Sequence, residues 1–169
     1  RFPNGLADFL SERVKDLEAR GYTFEAADAS FELLLRDELA GERLRHFEVE
    51  SWRVIVERRT VGEVISEATV KLRAKGERIV ATGEGNGPVN ALDNALRLAL
   101  ERLYPELARL ELADYKVRIL EGSHGTGAVT RVLIESGDGS GTADDMWSTV
   151  GVDENIIAAS WHALEEAVT

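Results

Sequence analysis

The order in which hydrophobic periods follow one another along this chain restricts its fold more than any single motif does. From Ser51 onward, apolar residues alternate with polar ones in "SWRVIVERR" and "EATVKLRAK", and this period of two predicts half-buried antiparallel strands. Gly76 and Glu77 are expected to turn the chain into a third strand, "RIVATG". A helix then begins at Pro88 and carries one apolar stripe. The stripe consists of Val89, Leu92, Leu96, Ala99 and Leu103.

The same order of elements returns in the second half of the chain. "DYKVRILE", "GAVTRVLIES" and "MWSTVGV" have the pattern of strands, "SGDGSG" that of a turn, and "NIIAASWHAL" that of a helix. Trp52 and Tyr115 are 63 positions apart, and Asn90 and Asn155 are 65 apart, which indicates a repeat of roughly 64 residues. Because three strands and one helix leave apolar surface bare, two such units are expected to pack together.

Two amphipathic helices precede the repeats and predict a helical hairpin. One apolar series recurs at helical spacing until Gly21 and the other until Gly41. The two series are Leu6, Phe9, Leu10, Val14 and Leu17, and then Phe24, Ala27, Phe31, Leu34 and Leu35. The predicted fold is therefore α+β, with a helical linker at 1–46 and a domain at 47–169. That domain is divided into two strand-strand-strand-helix units at about 50–110 and 112–169.

Composition excludes several classes of partner. The 31 acidic residues outnumber the 20 basic ones, and the formal net charge of -11 repels nucleic acid and anionic membrane surfaces. No apolar run approaches the roughly 20 residues that a membrane-spanning helix needs, and no signal peptide is recognisable. The absence of cysteine excludes disulfides and fits a reducing cytoplasm. We therefore predict a cytoplasmic protein that binds neither nucleic acid nor membrane.

Motifs for nucleotide binding, nucleophilic catalysis and metal binding are weak. Gly83, Gly85 and Gly87 alternate, so they match neither a dinucleotide fingerprint nor a phosphate-binding P-loop. The three histidines, His46, His124 and His162, are scattered singly, and His124 is interpreted as a solvated loop residue. The adjacent acids Asp144 and Asp145 supply too few ligands for a calcium loop. Trp161 and Leu164 share a helical stripe with Ile157, which indicates core packing. No catalytic residue and no metal ligand are predicted.

Six segments, in order, carry a family resemblance that covers essentially the whole chain. They are "GYTFEAADASFELLLR", "FEVESWRVIVERR", "EATVKLRAKGE", "EGNGPVNALDNALR", "DYKVRIL" and "STVGVDENIIAASWHAL". They resemble the C-terminal part of citramalate synthases, in the 2-isopropylmalate synthase family. The resemblance implies an allosteric regulatory domain of two strand-strand-strand-helix units. In the family this domain dimerises and binds isoleucine or leucine at the interface between units.

The resemblance also implies a catalytic part that this chain cannot contain. Family members condense acetyl-CoA with a 2-oxo acid in an N-terminal (β/α)8 barrel, whose divalent metal is held by a His-x-His pair and carboxylates. Such a barrel needs about 250 residues. We therefore expect no cofactor in this chain, a divalent metal in the separate catalytic domain, and that barrel and a second copy as partners. Trp52, Trp147 and Trp161 are candidate anchors of the homodimer.

The glycine-rich turns before the two helices are the candidate effector site. Their glycines allow close approach of a ligand to the backbone, and the first N-H groups of each helix can donate to the carboxylate of an amino acid. Gly85 and Gly151 are taken as equivalent, and a positive φ at Gly87 or Gly151 would give a further reason for glycine. Val89, Val152 and Ile156 are expected to line an apolar pocket. The candidate residues are Gly85, Asn86, Gly87, Pro88, Val89, Asn90, Gly151, Val152, Asn155 and Ile156.

Three functional interpretations remain open. The first is a regulatory and dimerisation domain that binds a branched-chain amino acid. The second is a structural dimerisation module without an effector, in which the glycines only make tight strand-to-helix connections. The third, an independent enzyme, would need a catalytic triad or metal cluster that the sequence does not show. Leucine and isoleucine differ by the position of one methyl group, and the sequence does not distinguish between them as effector.

Overall fold

A computed structural model of the chain describes residues 5–24, 27–41, 45–120, 122–142 and 145–169. It confirms the α+β prediction: a helical hairpin precedes two three-stranded antiparallel sheets, each followed by a helix. The helices are α1 (Leu6–Ala19), α2 (Asp28–Ala40), α3 (Pro88–Leu100) and α4 (Ile156–Val168). The strands are β1 (Phe47–Arg58), β2 (Val64–Ala74), β3 (Glu77–Gly85), β4 (Glu111–Ile119), β5 (Thr130–Gly137) and β6 (Met146–Asp153).

The chain divides into two compact units. The central unit comprises residues 45–110, and the split unit comprises residues 1–44 together with 111–168. The predicted boundary between a linker at 1–46 and a regulatory domain at 47–169 stays a prediction. Within the described part of the chain, no helix is long and apolar enough to cross a membrane.

The central unit contains the sheet β1-β2-β3 with α3 packed mainly on β2 and β3. The period of two in β2 is confirmed, because its residues facing α3 are buried. They are Ser66, Ala68, Val70, Leu72 and Ala74. The turn after β2 is formed by Lys75 and Gly76, one residue earlier than predicted. Both residues have positive φ, at 47° and 78°, as a two-residue hairpin that matches the twist of the strands requires.

The backbone of each C-terminal helix lies against a glycine in the third strand of its sheet. A Cβ atom on Gly83 would lie 2.5 Å from the Ala95 nitrogen, and one on Gly151 would lie 1.8 Å from the Ala159 oxygen. Helix and strand can approach this closely only where the strand has no side chain. The glycines are therefore required for packing of the helix on the sheet.

This packing corrects the sequence alignment of the two repeats. Gly83 pairs with Ala68, and Gly151 pairs with Val132, in equivalent places of the two sheets. Ala68 and Val132 are 64 positions apart, as predicted, but Gly83 and Gly151 are 68 apart. The predicted equivalence of Gly85 with Gly151 is therefore wrong. The cause is the connection between β5 and β6, which is longer than the two-residue turn between β2 and β3.

A β-bulge in β1 places one carboxylate across all three strands of the central sheet. The register shifts between Val49 and Ser51, so that Glu50 is the extra residue. Its carboxylate accepts hydrogen bonds from Arg73 Nε on β2 at 2.9 Å and from Arg78 Nε on β3 at 3.0 Å. These hydrogen bonds, above all the one from Arg78, hold the pKa of Glu50 below its ordinary value. The charged form of Glu50 therefore favours the folded sheet.

The split unit contains the sheet β4-β5-β6, on which α4 packs. Trp161 is only 3% exposed, and Leu164 is buried beside it, which confirms the predicted core packing. The proposal that Trp161 anchors a dimer is wrong for the same reason. Trp147 is half-buried and donates from Nε1 to the Ala167 oxygen at 3.0 Å.

Helix α2 closes the outer edge of this second sheet. The Ser148 N-H donates to Asp28 Oδ1 at 2.8 Å, and the Val150 N-H donates to Ser30 Oγ at 2.9 Å. The Ser30 hydroxyl in turn donates to Glu166 on α4. Side chains of α2 thus satisfy backbone donors that a further strand would otherwise take.

We expect Gly151→Ala to destabilise the fold by at least about 1–3 kcal/mol, since its Cβ cannot be accommodated without moving α4. Urea unfolding followed by circular dichroism measures the change. Gly87→Ser is the control, because a Cβ atom at Gly87 would meet no atom within 4 Å and such changes are usually within about 0.5 kcal/mol. Equal stability of Gly151→Ala and the parent would show that α4 does not rest on this glycine.

We expect the stabilising effect of Glu50 to depend on pH. Its pKa is lowered in the folded state, so its contribution is present above the unfolded-state pKa and is lost as the pH falls through the folded-state pKa. Glu50→Gln should therefore lower the melting temperature at about pH 7 and have little effect at about pH 3. Glu48→Gln, at an exposed position of the same strand, is the control. If Glu50→Gln lowers the melting temperature by the same amount at both pH values, this account is contradicted.

Candidate functional site

The start of α3 is an open helix N-terminus. Gly87 occupies the N-cap position with φ −161° and ψ 170°, and no side chain caps the helix. Pro88 has no N-H, and the first hydrogen bond of the helix runs from the Ala91 N-H to the Gly87 oxygen at 2.9 Å. The N-H groups of Val89 and Asn90 therefore have no carbonyl partner within the helix. They are directed outward at the positive end of the helix dipole.

The glycines of this turn have different roles. A Cβ on Gly85 would lie 2.5 Å from the Ala91 nitrogen and 2.6 Å from Asn90 Oδ1, so the helix itself occupies the space beside Gly85. Gly87 has open space around it and extended backbone, which any residue adopts. The expectation of a positive φ at Gly87 or Gly151 is wrong, since neither residue has one. Close approach of a ligand is thus possible at Gly87, whereas Gly85 serves helix packing.

The two asparagines at the start of α3 are exposed. Asn90 Oδ1 accepts a hydrogen bond from the Asn86 N-H at 3.2 Å, which closes the turn locally. Asn94, one helical turn further along α3, donates from Nδ2 to the Glu84 oxygen at 2.8 Å. Side-chain amides therefore fix the strand end to the helix and leave the donors of the first turn exposed.

A buried hydroxyl beneath this turn was missed in the sequence. Ser66 is 1% exposed, and its Oγ has no hydrogen-bond partner within the described residues. It pairs with Gly85 across β2 and β3, on the face toward α3. Buried hydroxyls are nearly always hydrogen-bonded to protein, water or ligand. The signal that could have identified Ser66 is its polar side chain on a face that otherwise carries alanine, valine and leucine.

The start of α4 is capped by its own side chains. Asn155 Oδ1 accepts hydrogen bonds from the N-H groups of Ile157 at 2.9 Å and Ala158 at 3.2 Å. The Asn155 N-H itself donates to Asp153 Oδ1 at 2.7 Å. Since Ala159 N donates to the Asn155 oxygen as Ala91 N does to that of Gly87, Asn155 is equivalent to Gly87 and not to Asn90. The donors that an effector would need at α4 are therefore already occupied.

The apolar candidates lie in different units. Val89 is half-buried in the central unit. In the split unit, Val152 lies next to Gly21, where a Cβ would be 3.3 Å from Val152 Cγ1, and Ile156 is 44% exposed. Gly21 has φ 102°, a conformation that favours glycine.

A second concave region lies in the split unit between α1, α2 and α4. It has a volume of about 180 Å³, and charged residues of both signs, Arg13, Asp37 and Glu166, line it. The other lining residues are Leu17, Tyr22, Phe24, Ser30, Leu33 and Leu34. The sequence did not indicate this cavity, because Glu166 lies far from Arg13 and Asp37 along the chain.

The histidines and paired acids do not form a reactive cluster in the described part of the chain. Asp144 and the side chain of His124 lie outside the described residues. His46 and His162 are both exposed. Within the described residues, no three histidine or carboxylate side chains converge in a way that could hold a metal ion.

Comparison with known proteins shows which family uses this architecture. The family model of the LeuA allosteric (dimerisation) domain matches residues 25–169. The chain belongs to this family. The resemblance found in the sequence is thereby confirmed, and the chain corresponds to the regulatory and dimerisation domain of citramalate synthase-like enzymes.

Individual relatives agree with this assignment. The chain is 68% identical to an (R)-citramalate synthase of Streptomyces coelicolor over 97% of its own length and 30% of that protein. It is 50% identical to an (R)-citramalate synthase of Geobacter sulfurreducens over 94% of its length and 29% of the relative. It is 32% identical to a 2-isopropylmalate synthase of Aquifex aeolicus over 99% of its length and 29% of the relative. The chain thus spans about 30% of the length of these curated relatives.

We expect Asn155→Ala to lower the free energy of unfolding by about 0.5–2 kcal/mol, because it removes the side chain that caps α4. Urea unfolding followed by tryptophan fluorescence reports the loss, since Trp161 lies within this helix. Asn86→Ala, which changes an exposed side chain next to the uncapped start of α3, is the control. A loss for Asn86→Ala equal to that for Asn155→Ala would contradict the difference between the two helix starts.

Proposed function

We propose that this chain is the C-terminal regulatory domain of a citramalate synthase-like acyltransferase and that it binds a branched-chain amino acid, isoleucine or leucine, for feedback inhibition. The full protein would condense acetyl-CoA with a 2-oxo acid in an N-terminal (β/α)8 barrel that holds a divalent metal. The observation that carries the proposal is the uncapped start of α3 above the buried, unpaired Ser66 hydroxyl, in a chain of an allosteric domain family.

The start of α3 has the chemistry that a carboxylate needs. Two backbone N-H groups, of Val89 and Asn90, lie at the positive end of a 13-residue helix, where an anion is favoured by about 0.3–1 kcal/mol when exposed. Gly87 leaves the approach open. The half-buried Val89 side chain provides an apolar contact at the same turn. The start of α4 lacks this capacity, because Asn155 occupies its donors and Asp153 would repel an anion.

Binding at this position would be transmitted through the packing of α3. The helix lies directly against Gly83 and Gly85, so a displacement of its first turn must shift either the helix or β3. Coupling between an effector and a distant active site is typically worth about 1–3 kcal/mol. The alternative is a structural dimerisation module whose glycines serve packing only, and the contacts of Gly83, Gly85 and Gly151 are compatible with that function.

We expect calorimetry to detect one of the two branched-chain amino acids binding to the parent chain, and Gly87→Asp to weaken that binding at least about tenfold, or about 1.4 kcal/mol. The new carboxylate can cap α3 and so occupy the donors that the effector would use. Folding should be retained, because a Cβ atom at position 87 would meet no atom within 4 Å. Ser66→Ala should also weaken binding while leaving stability unchanged or higher, since it removes a buried hydroxyl without a partner.

Lys71→Gln is the matched control, because it changes the net charge by the same amount on an exposed position of β2. Arg13→Gln tests the cavity of the split unit. If Arg13→Gln abolishes binding and Gly87→Asp does not, the effector binds in that cavity instead. If neither amino acid binds to a folded, dimeric parent chain, the structural dimerisation module is the correct function.

A further inference from the structure

The edge strand β1 of the central sheet differs from the edge strand β6 of the other sheet. Side chains of α2 cap the outer backbone donors of β6, as described above. In the part of the chain that the structure describes, β1 pairs with β2 alone, and no other group is hydrogen-bonded to the backbone of its residues 53–58. A regular exposed edge of this kind is a template for pairing with another strand.

Only the second half of β1 is suited to pairing. The first half is interrupted by the bulge at Glu50. The Glu50 carboxylate already forms ion pairs with Arg73 and Arg78 of the same sheet. From Ser51 to Arg58 the register with β2 is continuous. This segment also exposes large apolar side chains, with Ile55 48% and Val56 54% exposed. An exposed apolar strand with a free edge is normally covered in the functional assembly.

We propose that the segment 53–57 of β1 pairs antiparallel with the same segment of a second copy, across a two-fold axis at Ile55, to join the two central sheets. This inference rests on the dimerisation function of the domain and adds the surface that carries it. Directly opposed residues of an antiparallel pair lie on the same face of the sheet. In this register Ile55 faces itself, Val54 faces Val56 of the partner, and Arg53 faces Glu57 of the partner.

Charge selects this register among those available. Arg53 and Glu57 would form two opposite-charge pairs, one on each side of the axis. A register centred on Arg53 or on Glu57 would instead place a like charge opposite itself, and one centred on Val54 or Val56 would bring no opposite charges together among residues 53–57. Opposite charges directly across a strand pair stabilise it, and like charges destabilise it.

The equivalent strand β4 is unsuited to pairing with itself. It also has a bulge, between Leu112 and Asp114, and its regular half contains Lys116 and Arg118. A two-fold axis at Val117 would place Lys116 opposite Arg118, and an axis at either cation would place that cation opposite itself. An axis at Tyr115 would place Asp114 opposite Lys116, but the regular part of β4 begins at Asp114, so only three residues could pair around that axis. Both sheets therefore have a similar edge, but only β1 has self-complementary charges within a long regular segment.

A cysteine at position 55 tests the axis directly. The chain contains no cysteine, so Ile55→Cys introduces the only thiol, and the two thiols of a dimer would face each other. Mild oxidation or a short bis-maleimide should convert most of the protein to a covalent dimer. Val80→Cys, with a side chain 52% exposed on β3, is the control and should remain mostly unlinked. Equal cross-linking of the two variants would overturn the proposed axis.

A charge exchange provides a second, independent measurement by sedimentation. Arg53→Glu places a glutamate at position 53 opposite Glu57 of the partner on each side of the axis. It should therefore raise the dimer dissociation constant at least about tenfold. Adding Glu57→Arg restores opposite charges and should recover the parental constant, whereas Lys71→Glu on β2 should leave it unchanged. If Arg53 only stabilised its own sheet, adding Glu57→Arg would not restore the parental dissociation constant.

The results separate this inference from the domain's function. If the parent chain sediments as a monomer at high micromolar concentration, both dimerisation and the β1 surface fail. If the parent is a dimer but Ile55→Cys does not cross-link and Arg53→Glu remains dimeric, dimerisation stands and the β1 pairing is wrong.

Discussion

The close contact between a helix backbone and a glycine in the third strand is the interaction on which both repeats depend. Gly83 lies against α3 at Ala91 and Ala95, and Gly151 lies against α4 at Ala159 and Ala163. Only small residues on both surfaces permit this distance, since even one Cβ would overlap the helix backbone. The helix axis is thereby placed over the second and third strands. The repeated unit is defined by this contact more than by any conserved spacing along the chain.

A helix placed over two strands leaves the first strand of each sheet less covered. On the helix-facing side of β1, Val56 remains 54% exposed, and in β4 Val117 and Ile119 are 41% and 59% exposed. The fold thus leaves exposed apolar side chains on the first strand of each sheet as a consequence of how its helix packs. Burial of such edges requires contacts that one sheet and one helix do not provide, which is a physical reason for this domain to work as part of an assembly.

The sequence was sufficient to predict the elements but not the individual roles of residues at their ends. The alternation in β2 and the apolar stripe of α3 each follow from one dominant periodicity, and both are confirmed by the buried faces of these elements. The stripe nevertheless continues to Leu103, while α3 ends at Leu100, because the N-H groups of Leu103 and Tyr104 turn back to the Leu100 oxygen. Glycines at similar places in the sequence have different surroundings. Their spacing cannot show whether a helix or solvent lies beside them, and so the roles of Gly85 and Gly87 could not be distinguished beforehand.

The differences between the two repeats are more informative about function than their similarity. At equivalent positions, α4 begins with Asn155, which satisfies its own helix donors, and α3 begins with Gly87, which leaves them free. Glycine at an N-cap costs only a few tenths of a kcal/mol relative to asparagine. The uncapped start of α3 therefore lowers the stability of the fold only slightly. The same turn retains Ser66, a buried hydroxyl without a partner in the described residues, where alanine would fold at least as well. Two features that folding does not require therefore meet at one helix start, and their coincidence there is what a binding site for a small carboxylate would produce.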